Sequence, residues 1–265
     1  MRTALIGYTG FIGSNLAAAA DFTDLYNSRN ITDIEGRSYD LVVSAFGRAD
    51  SHRINTHAAD DLAEIDGFLS LLGSVETAKL VVISTVCVYP GGTSPDETTP
   101  LRPDGLTPYG ANRLHMEQTL AERFDTLVLR LPQLYGRGLK KGIVYDLLNS
   151  HRVEHIRPDG LFQYYDLRRL WADTQVALDA GLGALNVATP ALTSAQVAAE
   201  CFGIDISGQV VSGESPFAQM YTRDMRTIHA DLFGGPSDYL MDEAAELAAL
   251  RSFVEEARTA VVQVP

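Results

Sequence analysis

The 265-residue sequence predicts a doubly wound, parallel α/β fold, and three observations carry the prediction. A short apolar run, Met1-Arg-Thr-Ala-Leu-Ile6, leads straight into a glycine loop and then an alanine-rich helix start, Ser14-Asn-Leu-Ala-Ala-Ala-Ala20. Further apolar runs of strand length recur along the first two thirds of the chain, separated by stretches of helical periodicity. Strands alternating with helices bury both faces of a parallel sheet.

The first βα turn, Gly7-Tyr8-Thr9-Gly10-Phe11-Ile12-Gly13, has the spacing G-x-x-G-x-x-G. A strand, a glycine turn and a helix start together point free N–H groups and the positive helix end at a phosphate. Gly7, Thr9, Gly10, Phe11, Ile12 and Gly13 are therefore candidate contacts to a dinucleotide pyrophosphate. Taken alone, the triplet fits an ordinary tight βα turn as well.

The segment at 23–27 reads as the second strand, ending about 20 residues past the loop, where an acidic residue would accept the ribose 2′-OH of NAD. The residues there are Asn27, Ser28 and Arg29. A hydroxyl and a guanidinium suit a 2′-phosphate better, which favours NADP over NAD; a solvent-facing loop arginine is the equal alternative. The run at 39–46 is a third strand, reached by a short crossover and ending at Gly47. Residues 55–72 carry apolar side chains at helical spacing (Ala58, Leu62, Ile65, Leu69, Leu72) and predict one covering helix. Strands follow at 79–84, 127–131 and 184–188. The long Pro/Gly/Thr/Asp-rich loop at 90–108 is of the kind that carries function. Past Gly136 the alternation fades, so the expected division is 1–136 plus about 163–189 for the nucleotide-binding domain. A small discontinuous lobe would comprise 137–162 plus 190–265, with substrate lying between the two.

Composition narrows the classes. The 46% apolar and 21% charged content is that of a globular protein, and no apolar run approaches the ~20 residues of a membrane span. The start of the chain lacks the layout of a secretory leader, and Cys87 and Cys201 form no spaced framework, so the expected location is the cytoplasm. The net charge of −13 argues against a nucleic-acid surface, and Lys140-Lys141 is too small a patch to reverse it. Six scattered histidines give no metal-ligand spacing, so no metal is expected.

Three further stretches resemble motifs of one family. Ser84-Thr-Val-Cys-Val-Tyr89 is similar to S-[ST]-x-x-V-Y, Pro108-Tyr-Gly-Ala-Asn-Arg113 to P-Y-x-x-S-K, and Arg130-Leu-Pro-Gln-Leu-Tyr-Gly136 to R-x-x-N-V-Y-G. With the glycine loop and the tail Ala184-Leu-Asn-Val-Ala188, their order resembles the extended short-chain dehydrogenase/reductase family over nearly the whole chain. These are NAD(P)-dependent sugar-nucleotide epimerases, dehydratases and reductases with a Rossmann-type fold.

The resemblance implies that Tyr109 is the general acid/base and that Thr85 hydrogen-bonds the reacting substrate oxygen. It also implies that the residue four beyond Tyr109 holds the nicotinamide ribose and favours the phenolate. That residue is a lysine in the family and Arg113 here, and the exchange is not conservative. Ala45, Phe46, Gly47 and Pro132 would complete the dinucleotide contacts. Thr85, Val86, Cys87 and Gln133 would face substrate, Gln133 standing where the family often has Asn. The 4,6-dehydratases carry Asp and Glu after the catalytic Thr; Val86 and Cys87 cannot do that chemistry.

The expected activity is NAD(P)-dependent epimerisation or ketoreduction of a nucleotide-activated sugar. A non-catalytic dinucleotide-binding protein and a reductase of a non-sugar carbonyl are the alternatives. The resemblance also implies a possible homodimer through the 55–72 helix and the Tyr109 helix. Several residues have plainer readings: Cys87 as a small apolar residue, His115 as solvated on another helix face, His52 and Arg53 as a solvated helix start. Tyr164, Tyr165 and Trp171 read as core in a stretch of helical spacing. Arg168 and Arg169 replace the family's acidic pair.

Overall fold

The computed structural model describes residues 1–211, 222 and 224–262; parts of the expected lobe at 212–221, 223 and 263–265 lie outside the described residues. The chain forms two compact units. The first contains Met1–Pro90, Glu97–Leu131 and Arg168–Asn186; the second contains Gly91–Asp96, Pro132–Leu167 and Val187–Pro265.

The first unit is built on a six-stranded parallel sheet: β1 (Thr3–Ile6), β2 (Asp24–Tyr26), β3 (Ser38–Ser44), β4 (Glu76–Thr85), β5 (Thr126–Leu131) and β9 (Ala184–Asn186). Their spatial order is β2-β1-β3-β4-β5-β9. After β2 the chain makes one 3-10 turn at Ile31–Ile34 and returns to the far side of β1 as β3. Among the described residues no strand lies outside β2, where a 3-2-1-4-5-6 sheet has one, and the order reverses between β1 and β3. In doubly wound sheets the ligand crevice lies outside the carboxyl ends of the strands at such a reversal. That places Gly7 and Ala45, which follow β1 and β3, beside the crevice.

Apolar, β-branched runs bury both faces, as in Leu41-Val42-Val43 and Leu80-Val81-Val82-Ile83. On one face α3 (Ala58–Leu72) and α4 (Pro108–Arg123) cover the sheet. Their Ile65, Phe68, Leu72, Met116 and Leu120 share a core with Ala4, Ile6, Val42, Leu80, Val82 and Val128. The other face carries α1 (Phe11–Ala19) and α6 (Leu170–Asp179). The single helix expected over 55–72 is two: α2 (Ser51–Thr56) ends at His57, where α3 begins. At the break Thr56 bonds back to the Arg53 carbonyl and His57 opens α3 without a side-chain cap, while Asp50 caps the start of α2.

The second unit pairs β6 (Gln133–Tyr135) with β8 (Tyr164–Asp166) in parallel and β7 (Leu161–Phe162) with β10 (Leu192–Thr193) in antiparallel. Its helices are α5 (Ile143–Leu148), α7 (Ser194–Val197), which runs on as a π-helical turn to Phe202, and α8 (Glu243–Val262). Tyr164 and Tyr165 are fully buried, but on strand β8 and not on a helix. Their aromatic run carries no turn signal and sits in an interior where both faces are covered, so periodicity misleads there. Only Trp171 of that group is helical, on α6, edge-on to Phe22.

Candidate active site

The glycine loop is shaped by two glycines. Gly7 has φ of +83°, and a Cβ on it would lie 2.5 Å from the Ala45 carbonyl oxygen. A side chain on Gly13 would run into the Gly7 carbonyl oxygen, so α1 sits on β1 at a distance only glycine allows. The Gly7 N–H donates to the Tyr26 carbonyl (2.7 Å), and Gly10 caps α1 without a side-chain bond. No acidic residue occupies the first turn of α1. The first-turn N–H groups are thus left to face a phosphate, the cradle a dinucleotide needs.

At the end of β2, Asn27 Oδ1 accepts the Arg29 N–H (2.9 Å) and Asn30 Oδ1 accepts the Asn27 N–H (2.8 Å). This closes a turn that leaves Ser28 and Arg29 exposed, with no carboxylate from Asn27 through Asn30. Ala45 donates to the Ile6 carbonyl and continues the sheet past β3. Phe46 stacks on Phe68 at 3.8 Å, so its ring belongs to the helix-side core.

The candidate reacting group stands at the start of α4. Thr107 caps that helix by accepting the Gly110 N–H, and Pro108 occupies its first position, where no N–H is needed. The N–H of Tyr109 donates to Asn55 Oδ1 on α2 (2.9 Å). Gly110 meets the 3-10 turn Val86–Val88 so closely that a Cβ would collide with the Cys87 carbonyl oxygen. Thr85, the last residue of β4, accepts the Cys87 N–H (3.2 Å). Thr85 and the Arg113 guanidinium both act on the Tyr109 phenol. Burial, with the neighbouring Cys87, pushes the Tyr109 phenol above its ordinary value, while Arg113 and Thr85 pull it down without prevailing.

Arg113 lies over the Tyr109 ring, 4.8 Å from its centroid. Its other contacts were not foreseen from sequence. The guanidinium forms a two-pronged ion pair with Asp61 of α3, Nη1 to Oδ2 and Nη2 to Oδ1, each 3.0 Å. Nη2 also donates to the Arg48 carbonyl (2.8 Å). Asn112 donates to Asp61 Oδ2 (2.9 Å) and to the Ala58 carbonyl (3.0 Å). Both charged side chains are buried, Arg113 at 4% and Asp61 at 5% exposure. Gly47, with φ of +109°, passes against the guanidinium face.

Beneath the site the recognised motifs are tied to one another. Ser84 hydrogen-bonds Glu117, which takes Arg130 Nη2 (2.9 Å) and Nε (3.1 Å). Arg130 Nη1 donates to Tyr89 Oη (2.8 Å), which donates to Asn186 Oδ1 (3.1 Å). The Asn186 N–H reaches Glu97 of the long loop (2.7 Å). Ser84, Tyr89, Arg130 and Asn186 are therefore structural members of their motifs, held in one buried polar chain through Glu117.

The remaining candidates fall elsewhere. Val86 and Cys87 form the 3-10 turn beside Tyr109. Pro132 and Gln133 belong to the second unit, where the Gln133 N–H donates to the Gln163 carbonyl (3.1 Å). His52 and Arg53 are exposed at the start of α2, and exposed His115 pairs with Asp66 (3.0 Å). Arg169, at the entry to α6, pairs with Asp173. Among the described residues no cluster has the makings of a metal site, and no helix is long and apolar enough to cross a membrane.

A parallel sheet reversing at β1/β3 behind a glycine cradle is a Rossmann-type fold of the short-chain dehydrogenase/reductase kind. The model of the NAD dependent epimerase/dehydratase family matches residues 19–157, more than half of the chain, and the chain belongs to that family. No curated protein matches it significantly. Among solved structures it is similar to UDP-glucose 4-epimerase from Thermotoga maritima, with a TM-score of 0.74 at 16% identity over 98% of this chain and 100% of that one. It is also similar to a dTDP-4-dehydrorhamnose reductase from Clostridium acetobutylicum, with a TM-score of 0.72 at 13% identity over 97% of this chain and 100% of that one. A third is the human epimerase family protein SDR39U1, solved with NADPH, with a TM-score of 0.72 at 18% identity over 96% and 99% of the respective chains.

Proposed function

We propose that this protein is an NAD(P)-dependent epimerase or reductase that acts on a carbinol or ketone carbon of a nucleotide-activated sugar, with a lean to NADP. The observation that carries the proposal is Tyr109 at the head of α4 with the Arg113 guanidinium 4.8 Å from its ring centroid, and with Thr85 at the carboxyl end of β4 acting on the same phenol. Such a hydroxyl exchanges a proton with a substrate oxygen held by Thr85, and Arg113 offers its remaining N–H groups to a ribose. A bound nicotinamide supplies or accepts the hydride. The loop of Gly7, Gly10 and Gly13 would hold the pyrophosphate, and exposed Ser28 and Arg29 favour a 2′-phosphate. The sugar-nucleotide substrate rests on the named activities of the similar structures and on the family, a warrant by analogy.

Denaturing the purified protein and identifying any released dinucleotide by mass is the first test. Tightly kept NAD supports an epimerase that recycles its own hydride; exchangeable NADP supports a reductase and the role given to Arg29. Absence of binding by either would sink the proposal. Tyr109→Phe should then lower turnover by roughly 10²-fold or more on UDP- and dTDP-sugars while dinucleotide binding persists.

A non-catalytic, dinucleotide-binding role is the second reading, favoured by the engagement of Arg113 with Asp61. It expects Tyr109→Phe to leave the biological activity intact. A cytoplasmic location and a homodimer through α3 and α4 belong to the proposal as well. Neither helix exposes a large apolar side chain, so such a dimer would close on polar and charged faces.

A further inference from the structure

Arg113 occupies the place of a lysine whose free charge would draw the proton off Tyr109. A lone cation does this by favouring the phenolate. Here the cation is not alone. Asp61 takes both prongs of the guanidinium at 3.0 Å in a site where both side chains are 95% or more removed from solvent. The carboxylate is held from its other side by Asn112, and the guanidinium is fixed further by the Arg48 carbonyl and the Gly47 backbone. A buried, two-pronged pair of this geometry presents a weaker positive field to a third group than a lone cation does.

We propose that Asp61 is a positioning residue that masks the charge of Arg113, so that the pair suits the site to giving a proton to a carbonyl oxygen more than to taking one from a carbinol. This rests on the oxidoreductase reading above and specifies its direction. In the reduction, the substrate C=O π bond breaks as its carbon gains a hydride from the dihydronicotinamide and its oxygen gains the Tyr109 proton. A bound nicotinamide would supply that hydride and end oxidised, and water would return a proton to the Tyr109 phenolate. The equilibrium of the reaction is untouched; what shifts is the pH range in which each direction runs.

The groups that bear on Tyr109 come from several elements. Cys87 on the turn after β4 and the burial of the hydroxyl favour the protonated phenol; Thr85 and Arg113 oppose them. Asp61 on α3 bears on the tyrosine through its ion pair with Arg113. Arg48 contributes only its carbonyl to Arg113, and its own guanidinium pairs at the surface with Glu64 (3.0 Å). Asp61 is thus the carboxylate bonded to the cation that touches the tyrosine.

The test titrates Tyr109 directly, in protein free of substrate and cofactor. Tyrosine ring carbons are labelled with ¹³C, and the Tyr109 Cζ resonance is assigned by its loss in Tyr109→Phe. In the native protein the midpoint should lie at or above the ordinary value of about 10. In Asp61→Asn, which keeps the shape and removes the charge, it should fall by at least about one unit, a tenfold rise in phenolate at a given pH. Arg113→Lys with Asp61 kept should leave it high, whereas Asp61→Asn/Arg113→Lys should lower it as Asp61→Asn does. The double variant serves if Asp61→Asn does not fold. A native midpoint below 10, no fall when Asp61 is neutralised, or a fall in Arg113→Lys alone overturns the proposal. Because no turnover is needed, these outcomes are separate from the question of whether the protein is an enzyme.

Discussion

Arg113 shows how much a single exchange asks of its surroundings. A lysine needs one ribose and one hydroxyl; an arginine brings a planar fork that must be satisfied on two edges. Asp61, Asn112 and the Arg48 carbonyl provide for it. Removing one partner from such a pair leaves a buried charge, which costs about 3–5 kcal/mol. Asp61→Ala should therefore lower the urea unfolding free energy by about that much, while Asp61→Ala/Arg113→Met should recover most of it. Equal losses in the single and double variants would mean the pair is not the unit described. At the other end of the cofactor, Arg29 is exposed and committed to no ion pair among the described residues. Arg29→Ala should weaken NADP binding about tenfold and leave NAD binding unchanged, read by fluorescence titration with each. The substitution at 113 was plain in the sequence. Its partner was not, because Asp61 reads as one more acid in the first turn of a helix, and 52 residues separate it from the arginine.

Elements with a strong local signal were legible, and those without one were not. The strands β3, β4 and β5 announce themselves as buried β-branched runs, and the glycine loop fixes β1 and α1 around it. The break at His57 was hidden because apolar spacing runs through it, while α3 opens there without a side-chain cap that a sequence could show. The strand at Tyr164–Asp166 was hidden because three buried residues cannot display a period. The start of α4 combines both cases. Thr107 and Pro108 mark it in the sequence, yet nothing there says that Gly110 must lie against Cys87. Gly110→Ala raises helix propensity but inserts a methyl group where the Cys87 carbonyl stands, so the first turn must shift and carry Tyr109 away from Thr85. The expected result is a fall in kcat with little change in KM for the dinucleotide. An unchanged kcat would show that the turn tolerates the displacement.

For the whole molecule, the two units carry opposite kinds of information. The first was readable because its chemistry is local to strand ends; the second is built from short strands and helices whose cohesion depends on contacts distant in sequence. Its core joins Tyr135, Phe162 and Tyr164 to Val197, Leu247 and Leu250. One buried acid sits among these contacts. Glu246 on α8 accepts the Tyr164 N–H (3.0 Å) on β8, and it is fully buried. Burial pushes its carboxyl up to about 8 from an ordinary 4.5, the Tyr164 N–H opposing without prevailing. The folded chain therefore keeps a proton that the unfolded chain releases near 4.5. The contribution is whole below that value and is lost as pH rises from there through about 8, with a slope of at most about 1.4 kcal/mol per pH unit. The net charge of −13 adds a general self-repulsion, but salt screens that term and scarcely reaches a buried carboxyl. Urea midpoints followed by circular dichroism should fall between pH 6 and 8, and added salt should raise them without removing the slope. Glu246→Gln keeps the acceptor for Tyr164 and has no proton to lose, so its midpoints should be nearly flat over the same range and exceed the native ones at pH 8. A native slope that survives in Glu246→Gln would assign the pH dependence to other groups.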